Sequence, residues 1–355
     1  MERTHNESIL THAEMYDTIT VGRQWLRDAA LGGIAVEKKR KEAFKEELQK
    51  ILGKKELLYD VPMSRYTTLR VGGSAEMFCD ADSAEMLAAV LVAADDHQAP
   101  VTLMGNGSNL LVRDGGLPGL VIRIAEGLSS LYPPVPLPDG RVALTAEAGV
   151  PLSRLAQEAA DHGLRGLEFA AGIPGTVGGA ICMNAGAYGG EMKDVVSKVV
   201  ACGPCGESLV FGPADMGFGY RKSRFTKGMP VEAVFRCTVT LESGDKDAIR
   251  TAMREFALRR REKQPLAPSC GSTFKRPEGQ FAGSLIEQCG LKGYRIGGVS
   301  VSERHGGFLV NDRNGTSADY LRLMAHVQQV VYQKTGVRLL PEVCILGEDA
   351  PVTDG

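Results

Sequence analysis

The chain has 355 residues, of which 43% are hydrophobic and 24% are charged, and its formal net charge is -2. This composition is ordinary for a globular protein of two or three domains, and the charge balance gives no electrostatic case for binding nucleic acid or a membrane surface. No apolar run approaches the roughly 20 residues that span a bilayer. Eight cysteines in so long a chain do not make a disulfide scaffold, so we expect a cytoplasmic protein.

The first third of the chain predicts an extension followed by an α+β unit. Residues 1–36 carry no motif, and we predict an N-terminal extension of unknown role. Apolar residues then recur at helical spacing over residues 37–52, and Gly53 is a natural stop. The predicted elements that follow are strands over 66–73, 75–79, 101–104, 110–112 and 120–122, and a helix over 83–97 with Ser83 as its N-cap.

A polar turn interrupts this unit at Gly105–Asn109, with the sequence G-N-G-S-N. It resembles the start of a dinucleotide fingerprint, but Leu110 stands where the last glycine of G-x-G-x-x-G would be, and a strand follows instead of a helix. A Rossmann domain is therefore disfavoured. The turn can still present backbone N–H groups and short polar side chains to a pyrophosphate.

The middle of the chain is organised around Gly172–Gly189, which holds six glycines among apolar residues. It is too rich in glycine for a helix interior and too apolar for a solvated linker. We predict a buried loop folded against something flat, which is either another chain segment or the ring system of a cofactor. Predicted strands over 141–148, 195–201, 207–211 and 231–241, and helices over 153–163 and 245–263, surround it.

The tetrapeptide Cys202–Cys205, C-G-P-C, has the sequence of a thioredoxin active site. In thioredoxin-like sites the first cysteine opens a helix that lowers its pKa. Here the tetrapeptide joins two predicted strands, so we predict a hairpin turn without redox function. No second Cys or His pair stands at ligand spacing, and we predict no metal site.

Pro265 and Pro268 indicate a domain boundary. Beyond it, Ser284 and Glu287 fit a capping box that opens a helix over 284–290. The remaining predicted elements are strands over 296–301, 308–310 and 341–347, and a helix over 317–336 capped by Ser317.

Nine motifs distributed in order between residues 59 and 347 resemble one family. They are Y-T-T-L-R-V-G-G, G-N-G-S-N-L-L-V, A-G-I-P-G-T-V-G-G-A, N-A-G-A-Y-G, F-G-Y-R-K-S, G-S-T-F-K-R-P, L-I-E-Q-C-G-L-K-G, F-L-V-N and P-E-V. The chain is similar to the UDP-N-acetylenolpyruvoylglucosamine reductases, also called UDP-N-acetylmuramate dehydrogenases. The resemblance implies noncovalent FAD, NADPH as co-substrate, and reduction of UDP-N-acetylglucosamine enolpyruvate during peptidoglycan synthesis.

The resemblance also implies an α+β fold in which two subdomains of the vanillyl-alcohol-oxidase-like type hold FAD and a C-terminal α+β domain binds substrate. The corresponding boundaries are 37–126 and 127–267 for the FAD subdomains, 268–340 for the substrate domain and 341–355 for a last strand and tail. The segment 241–249 is short, so the chain looks like the shorter class of the family, which lacks a tyrosine-bearing loop over the substrate. We expect a monomer or a weak oligomer.

Three residues fall on the family's catalytic positions. Arg221 would hold the substrate carboxylate, Ser272 would protonate the enolate, and Glu342 would support it as a protonated acid or through water. Taken singly, Arg221 is better explained by a surface ion pair and Ser272 by a helix or turn cap, and a strand-edge salt bridge is the alternative for Glu342. Only their joint occurrence favours catalysis.

The resemblance extends to the ligand contacts. For FAD it implies Arg70, Val71, Gly105, Asn106, Gly107, Ser108, Asn109, Gly172, Ile173, Gly175, Gly178, Gly179 and Ala180. For substrate it implies Lys263, Lys275, Arg276, Lys292 and His305, although each lysine alone is better explained as a solvated surface residue. Two alternatives remain open, namely a flavin oxidase of the same fold and a non-catalytic regulator that binds FAD or a nucleotide sugar.

Overall fold

A computed structural model describes residues 33–227 and 232–350 of the chain, so most of the predicted N-terminal extension lies outside the described residues. The helices are α1 (Gly33–Leu52), α2 (Ala84–Asp96), α3 (Leu152–Asp161), α4 (Val177–Cys182), α5 (Lys246–Lys263), α6 (Ala282–Gln288) and α7 (Ser317–Thr335). None of these helices is long and apolar enough to cross a membrane.

Seventeen strands lie in the same ranges, several of them only two residues long. They are β1 (Leu58–Pro62), β2 (Ser74–Asp80), β3 (Val101–Met104), β4 (Leu110–Val112), β5 (Leu117–Arg123), β6 (Val135–Pro136), β7 (Val142–Glu147), β8 (Leu164–Arg165), β9 (Gly186–Ala187), β10 (Gly190–Glu191), β11 (Val196–Cys202), β12 (Ser208–Phe211), β13 (Ala233–Ser243), β14 (Arg295–Ile296), β15 (Val299–Val301), β16 (Leu309–Asn311) and β17 (Cys344–Leu346).

Two sheets form the amino-terminal two thirds of the described chain. The first has the order β1-β2-β5-β3, with β2, β5 and β3 parallel to one another. The second is antiparallel, with the order β12-β11-β13-β7-β6. One hydrophobic core joins both sheets to α1, α2 and α3, because the apolar sides of these helices are buried between them.

The carboxyl-terminal unit has its own core, built by α6, α7 and the three-stranded sheet β14-β15-β16. Leu69, Val71 and Leu111 from the first unit are buried in the same core. The chain then returns to the first unit, where β17 pairs in parallel with β4. The carboxyl-terminal unit is therefore fixed to the region of the polar turn at two places.

Most predicted elements agree with the structure, but the strand predicted over residues 66–73 is wrong. Arg70 and Gly72 have φ angles of 59° and 114°, which a strand does not contain. The polar groups of this segment bond elsewhere: the Thr68 hydroxyl donates to the Ser269 carbonyl at 2.6 Å, and the Asn311 amide donates to the Leu69 carbonyl at 3.2 Å. The segment joins the two units instead of extending a sheet.

Three further predictions need correction. The helix predicted from Ser284 begins at Ala282, with Phe281 as its N-cap and no capping box, because its first turn lies earlier in the chain. The cap of α7 is Thr316, whose hydroxyl accepts from the Asp319 N–H at 3.1 Å, in place of Ser317. The Gly172–Gly189 stretch contains the six-residue helix α4, which Thr176 caps, so it is not a continuous loop.

Candidate active site

A cavity of about 1600 Å³ lies where the two units meet. Its walls come from the polar turn at residues 105–109, from the glycine-rich stretch around α4, from the carboxyl-terminal end of α5 and from residues 268–272. This volume exceeds the usual range of small-molecule pockets, about 300–1,000 Å³, and suits a large or composite ligand.

The polar turn and the glycine-rich stretch touch each other across the cavity floor. A Cβ added at Gly105 would clash with the Thr176 hydroxyl, and one at Gly175 would lie 2.9 Å from the Ser108 hydroxyl. The Ser108 hydroxyl itself donates to the Pro174 carbonyl at 3.2 Å. Glycine is needed at these two positions because a hydroxyl side chain of the other segment packs directly against the glycine backbone, which leaves no room for a Cβ.

Gly107 shows why the turn tolerates no larger residue. Its φ angle is 60°, and a Cβ would clash with the Tyr66 carbonyl. The Gly107 carbonyl accepts from the Thr68 N–H at 3.2 Å. The 66–73 segment therefore fixes the shape of the turn from behind, and that is the structural role that the strand prediction missed.

Arg221 and Glu342 form an ion pair at the cavity wall. The Arg221 Nε donates to Glu342 Oε1 at 2.7 Å, and Arg221 Nη2 donates to the Gly186 carbonyl at 3.1 Å. The Glu342 side chain is only 9% exposed. The guanidinium keeps further N–H groups for a ligand, because these two bonds use only part of its five donors.

The backbone that carries Arg221 is strained. Arg221 has a φ angle of 52°, in the left-handed region that favours glycine. It sits in a tight turn closed by mutual backbone hydrogen bonds between Gly219 and Lys222, at 2.9 and 3.2 Å. The buried Asn184 amide donates to the Gly219 carbonyl at 3.0 Å and fixes this turn. Such strain, about 1–3 kcal/mol, is typical of functional sites.

Ser272 is connected to this ion pair through the next residue of the chain, Thr273. The neighbouring Thr273 carbonyl accepts from the Glu342 N–H at 2.8 Å, and the Thr273 N–H donates to the Gly307 carbonyl at 2.9 Å. The Thr273 hydroxyl bonds to the buried Tyr320 hydroxyl at 2.8 Å. The backbone around Ser272 is therefore fixed, while no hydrogen bond from the described residues occupies its hydroxyl, which lines the cavity.

Comparison with known proteins identifies the family. A model of the UDP-N-acetylenolpyruvoylglucosamine reductase carboxyl-terminal domain matches residues 263–346, and an FAD binding domain model matches residues 75–211. The reductase of Caldanaerobacter subterraneus subsp. tengcongensis is 44% identical over 86% of this chain and 99% of its own length. The reductase of Exiguobacterium sibiricum is 43% identical over 84% and 96%. The chain belongs to the UDP-N-acetylenolpyruvoylglucosamine reductase family.

A solved structure agrees with this assignment. The crystal structure of the reductase from Thermus caldophilus superposes with a TM-score of 0.71 at 37% identity, and covers 82% of this chain and all of its own. The predicted fold class is therefore confirmed. As a member of this family, the protein is an oxidoreductase with an FAD-binding domain and belongs to cell-wall peptidoglycan synthesis.

The cavity of this reductase fits an anionic cofactor. Arg260 lines it, and its buried Nε has no hydrogen-bond partner among the described residues. Its Cδ would lie 3.5 Å from a Cβ at Gly172, so the guanidinium flanks the glycine-rich wall. Burial lowers the pKa of Arg260, which is the sign of a cation held away from water without a carboxylate. An anion bound in the cavity would offset the positive charge of this guanidinium.

Other basic side chains that line the cavity also lack a carboxylate partner. The cavity-lining side chains that form no ion pair within the described ranges are Arg65, Arg70, Arg260, Lys263 and Arg276. An excess of unpaired positive charge in a concave site favours phosphate-bearing ligands, because the walls concentrate the field. The residue set therefore suits the phosphates of FAD and of nucleotide substrates.

The structure brings together all but three of the predicted site residues of the reductase. The exceptions are Val71, which is 2% exposed in the core, Lys275, and Lys292, whose ammonium pairs with Glu287 at 2.7 Å. These three do not line the cavity. His305 does, and its Nδ1 accepts from the Gly307 N–H at 3.0 Å. Burial lowers the pKa of His305, and the charge of Lys292 lowers it further.

Tyr220 is part of the site although it is not among the predicted site residues. Its hydroxyl donates to Glu342 Oε2 at 3.0 Å and accepts from the Arg276 N–H at 3.3 Å. Burial and the Glu342 charge raise the pKa of Tyr220, so the phenol stays a donor near neutral pH. Its position beside Arg221 in F-G-Y-R-K-S was the available signal.

The hairpin predicted at Cys202–Cys205 is confirmed. It connects β11 to β12, and the Gly203 N–H donates to the Glu207 carbonyl at 2.9 Å. Burial raises the pKa of the Cys202 thiol, and the Glu207 charge adds to the rise. A redox-active cysteine needs a lowered pKa, so the local chemistry opposes a thioredoxin-like role.

Proposed function

We propose that this protein reduces UDP-N-acetylglucosamine enolpyruvate to UDP-N-acetylmuramate, with NADPH as the reductant and noncovalent FAD between them. The observation that carries the proposal is the Arg221–Glu342 ion pair, which faces the same cavity as the unoccupied hydroxyl of Ser272. Family membership supports the substrate, because the relatives are named for it. We expect the reaction to take place in the cytoplasm, without a metal ion.

In this proposal the turn Gly105–Asn109 holds the pyrophosphate of FAD, and Gly172, Ile173, Gly175, Gly178, Gly179 and Ala180 flank its ring system. The glycines of these two segments support the assignment, because they line the cavity without side chains and backbone amides favour anions. When bound, FAD supplies the capacity to accept a hydride and to deliver it. Arg70 borders the same end of the cavity, and Val71 would act only through its backbone.

Arg221 stabilises the charge that develops during the reaction. Hydride addition to one carbon of the enolpyruvyl double bond leaves negative charge that spreads onto the substrate carboxylate. The N–H groups of Arg221 that Glu342 and Gly186 do not use can bind both carboxylate oxygens. Glu342 and Tyr220 orient the guanidinium, so the positive charge is preorganised where it is needed.

Ser272 completes the reaction by protonating the neighbouring carbon. Its backbone is fixed by Thr273, and its hydroxyl is available because no described residue binds it. A serine hydroxyl carries no charge near neutral pH, so it adds no repulsion beside the substrate carboxylate. Lys263, Arg276 and His305 would contact the nucleotide and sugar, while the positions of Lys275 and Lys292 outside the cavity make their proposed role indirect.

Anaerobic flavin spectroscopy tests this function. Purified yellow protein should bleach with NADPH and recolour when the enolpyruvyl nucleotide sugar is added without oxygen. UDP-N-acetylglucosamine, which lacks the enolpyruvyl group, should not restore the colour and serves as the control. An oxidase would recolour only with oxygen, a regulator would do neither, and a colourless protein that takes up no FAD would contradict the proposal entirely.

A further inference from the structure

Phe281 is an exposed aromatic residue in the wall of the cavity. Its side chain is 59% exposed although it lines the site. Leaving a phenylalanine in water forgoes burial of an apolar surface of roughly 150–250 Å². Its backbone is fixed, because the Phe281 carbonyl accepts from the Leu285 N–H at 3.1 Å at the start of α6. The backbone at Phe281 is therefore fixed, while more than half of the residue's surface stays exposed.

An arginine covers part of this ring. The Arg276 guanidinium lies 4.7 Å from the Phe281 ring centroid, and Arg276 forms no ion pair with the described residues. The backbone N–H of Arg276 also donates to the Tyr220 hydroxyl, and this hydroxyl donates to the Glu342 carboxylate. The Phe281–Arg276 pair is therefore connected through two hydrogen bonds to the acid that holds Arg221.

Two other aromatic rings of the cavity pack against an aromatic ring of the protein. Tyr188 stacks on Phe256 with ring centroids 4.6 Å apart, and its hydroxyl donates to the Phe256 carbonyl at 3.2 Å. Phe308 is 6% exposed and meets His305 edge to face. Phe281 differs from both because, among the described residues, no aromatic ring packs against it and its cationic neighbour is the Arg276 guanidinium.

We propose that the Phe281 ring, held by Arg276, stacks on the nucleobase of the bound nucleotide. The inference rests on the proposed function, which supplies a uridine nucleotide and an adenine nucleotide as ligands. Every base has a flat π face, and an aromatic side chain supports such a face without reading its edges. The unpaired guanidinium of Arg276 lies beside the ring, where it can also contact the ligand's phosphates. This pair would cover the nucleotide end in a chain that lacks the tyrosine-bearing loop.

Calorimetric titration of FAD-loaded protein tests the inference, with UDP and adenosine 2′,5′-bisphosphate as probes. Phe281→Ala should weaken the binding of at least one of the two probes about 5- to 150-fold, the range for loss of one base stack. Phe281→Leu keeps an apolar contact without a π face and should also weaken binding, whereas Phe281→Trp should preserve it. Tyr332→Ala is the matched control, because Tyr332 is 46% exposed with Arg338 at 5.1 Å but lies outside the cavity.

The two probes show whether the base that stacks on Phe281 is uracil or adenine. Weaker binding of UDP alone assigns the ring to uracil, and weaker binding of the adenosine probe alone assigns it to adenine; either result supports the stack. Unchanged affinity of Phe281→Ala for both probes would overturn the inference while leaving the flavin reaction untouched. A wild-type protein that binds neither probe would overturn both the stack and the nucleotide substrates of the proposed function.

Discussion

Replacing Gly179 with alanine should separate the stability of the fold from its affinity for FAD. Gly179 lies in α4 and lines the cavity, and its surface is exposed. A Cβ built there meets no protein atom closer than the Thr176 hydroxyl, at 3.6 Å, which is ordinary contact. Its φ angle is outside the left-handed region, so alanine causes no backbone strain. The added methyl group would therefore project into the space that we assign to the cofactor.

The substitution should raise the stability of the flavin-free fold and lower the affinity for FAD. Alanine in place of a helical glycine stabilises a protein by roughly 0.5–1 kcal/mol, and the early position of Gly179 in a six-residue helix favours the lower figure. Forcing one methyl group into a filled contact costs about 1–3 kcal/mol. FAD binding should therefore weaken about 5- to 150-fold, because each 1.4 kcal/mol is a factor of ten.

Two measurements check this. Thermal unfolding of flavin-free protein should give an equal or slightly higher midpoint for Gly179→Ala, while titration followed by flavin fluorescence should give the higher dissociation constant. Gly212→Ala is the control, since Gly212 has a φ angle of -88°, its Cβ would lie 3.5 Å from Asp215, and it does not line the cavity. Wild-type FAD affinity in Gly179→Ala would refute the placement of the cofactor against α4.

Three other predictions concern the proton donor, the Cys202–Cys205 hairpin and the pH dependence of stability. Ser272→Ala should bleach normally with NADPH but recolour at least about a hundredfold more slowly with substrate in stopped-flow absorbance, because a positioned acid contributes about 10²–10⁴ in rate; equal slowing of both halves would assign Ser272 a shaping role only. The Cys202→Ser/Cys205→Ser double variant should keep full turnover, and loss of turnover with FAD retained would contradict the hairpin interpretation. Because the pKa of His305 is lowered, its neutral form favours the folded state, so stability should decline as pH falls below the unfolded value of about 6.5. Urea unfolding at pH 8 and pH 5 should show a smaller decline for His305→Asn, and an equal decline would show that other groups cause it.

Local sequence signals were sufficient for elements that depend on neighbouring residues. Ser83 caps α2 as predicted, with its hydroxyl accepting from the Met86 N–H at 3.1 Å, and Gly53 follows α1 with a φ angle of 64°. Both features need only a few consecutive residues. The strand prediction for residues 66–73 was wrong because polar groups of this segment bond to residues far away in sequence, such as Ser269 and Asn311.

The candidate site also has features that local sequence indicates and features that only the fold creates. The residue types of Arg221, Ser272 and Glu342 could be selected from motifs, but nothing local indicates that Arg221 and Glu342, 121 residues apart, bond directly. Arg260 was hidden in a run of basic residues that suggests a solvated helix end. Its burial and its orphaned Nε arise only because α5 packs beside the glycine-rich wall.

The last strand connects Glu342 to the polar turn at residues 105–109. The Cys344 N–H donates to the Asn109 carbonyl at 2.9 Å, and the Asn109 side-chain amide donates to the Glu342 carbonyl at 3.1 Å. Glu342 is therefore tied through its own backbone to the turn at 105–109, and through its carboxylate to Arg221. A displacement of that turn would move the carboxylate that orients Arg221. Because β17 pairs in parallel with β4 directly after the turn, the fold fixes the distance between the turn, where we propose that FAD binds, and the Arg221–Glu342 pair, which we propose stabilises charge.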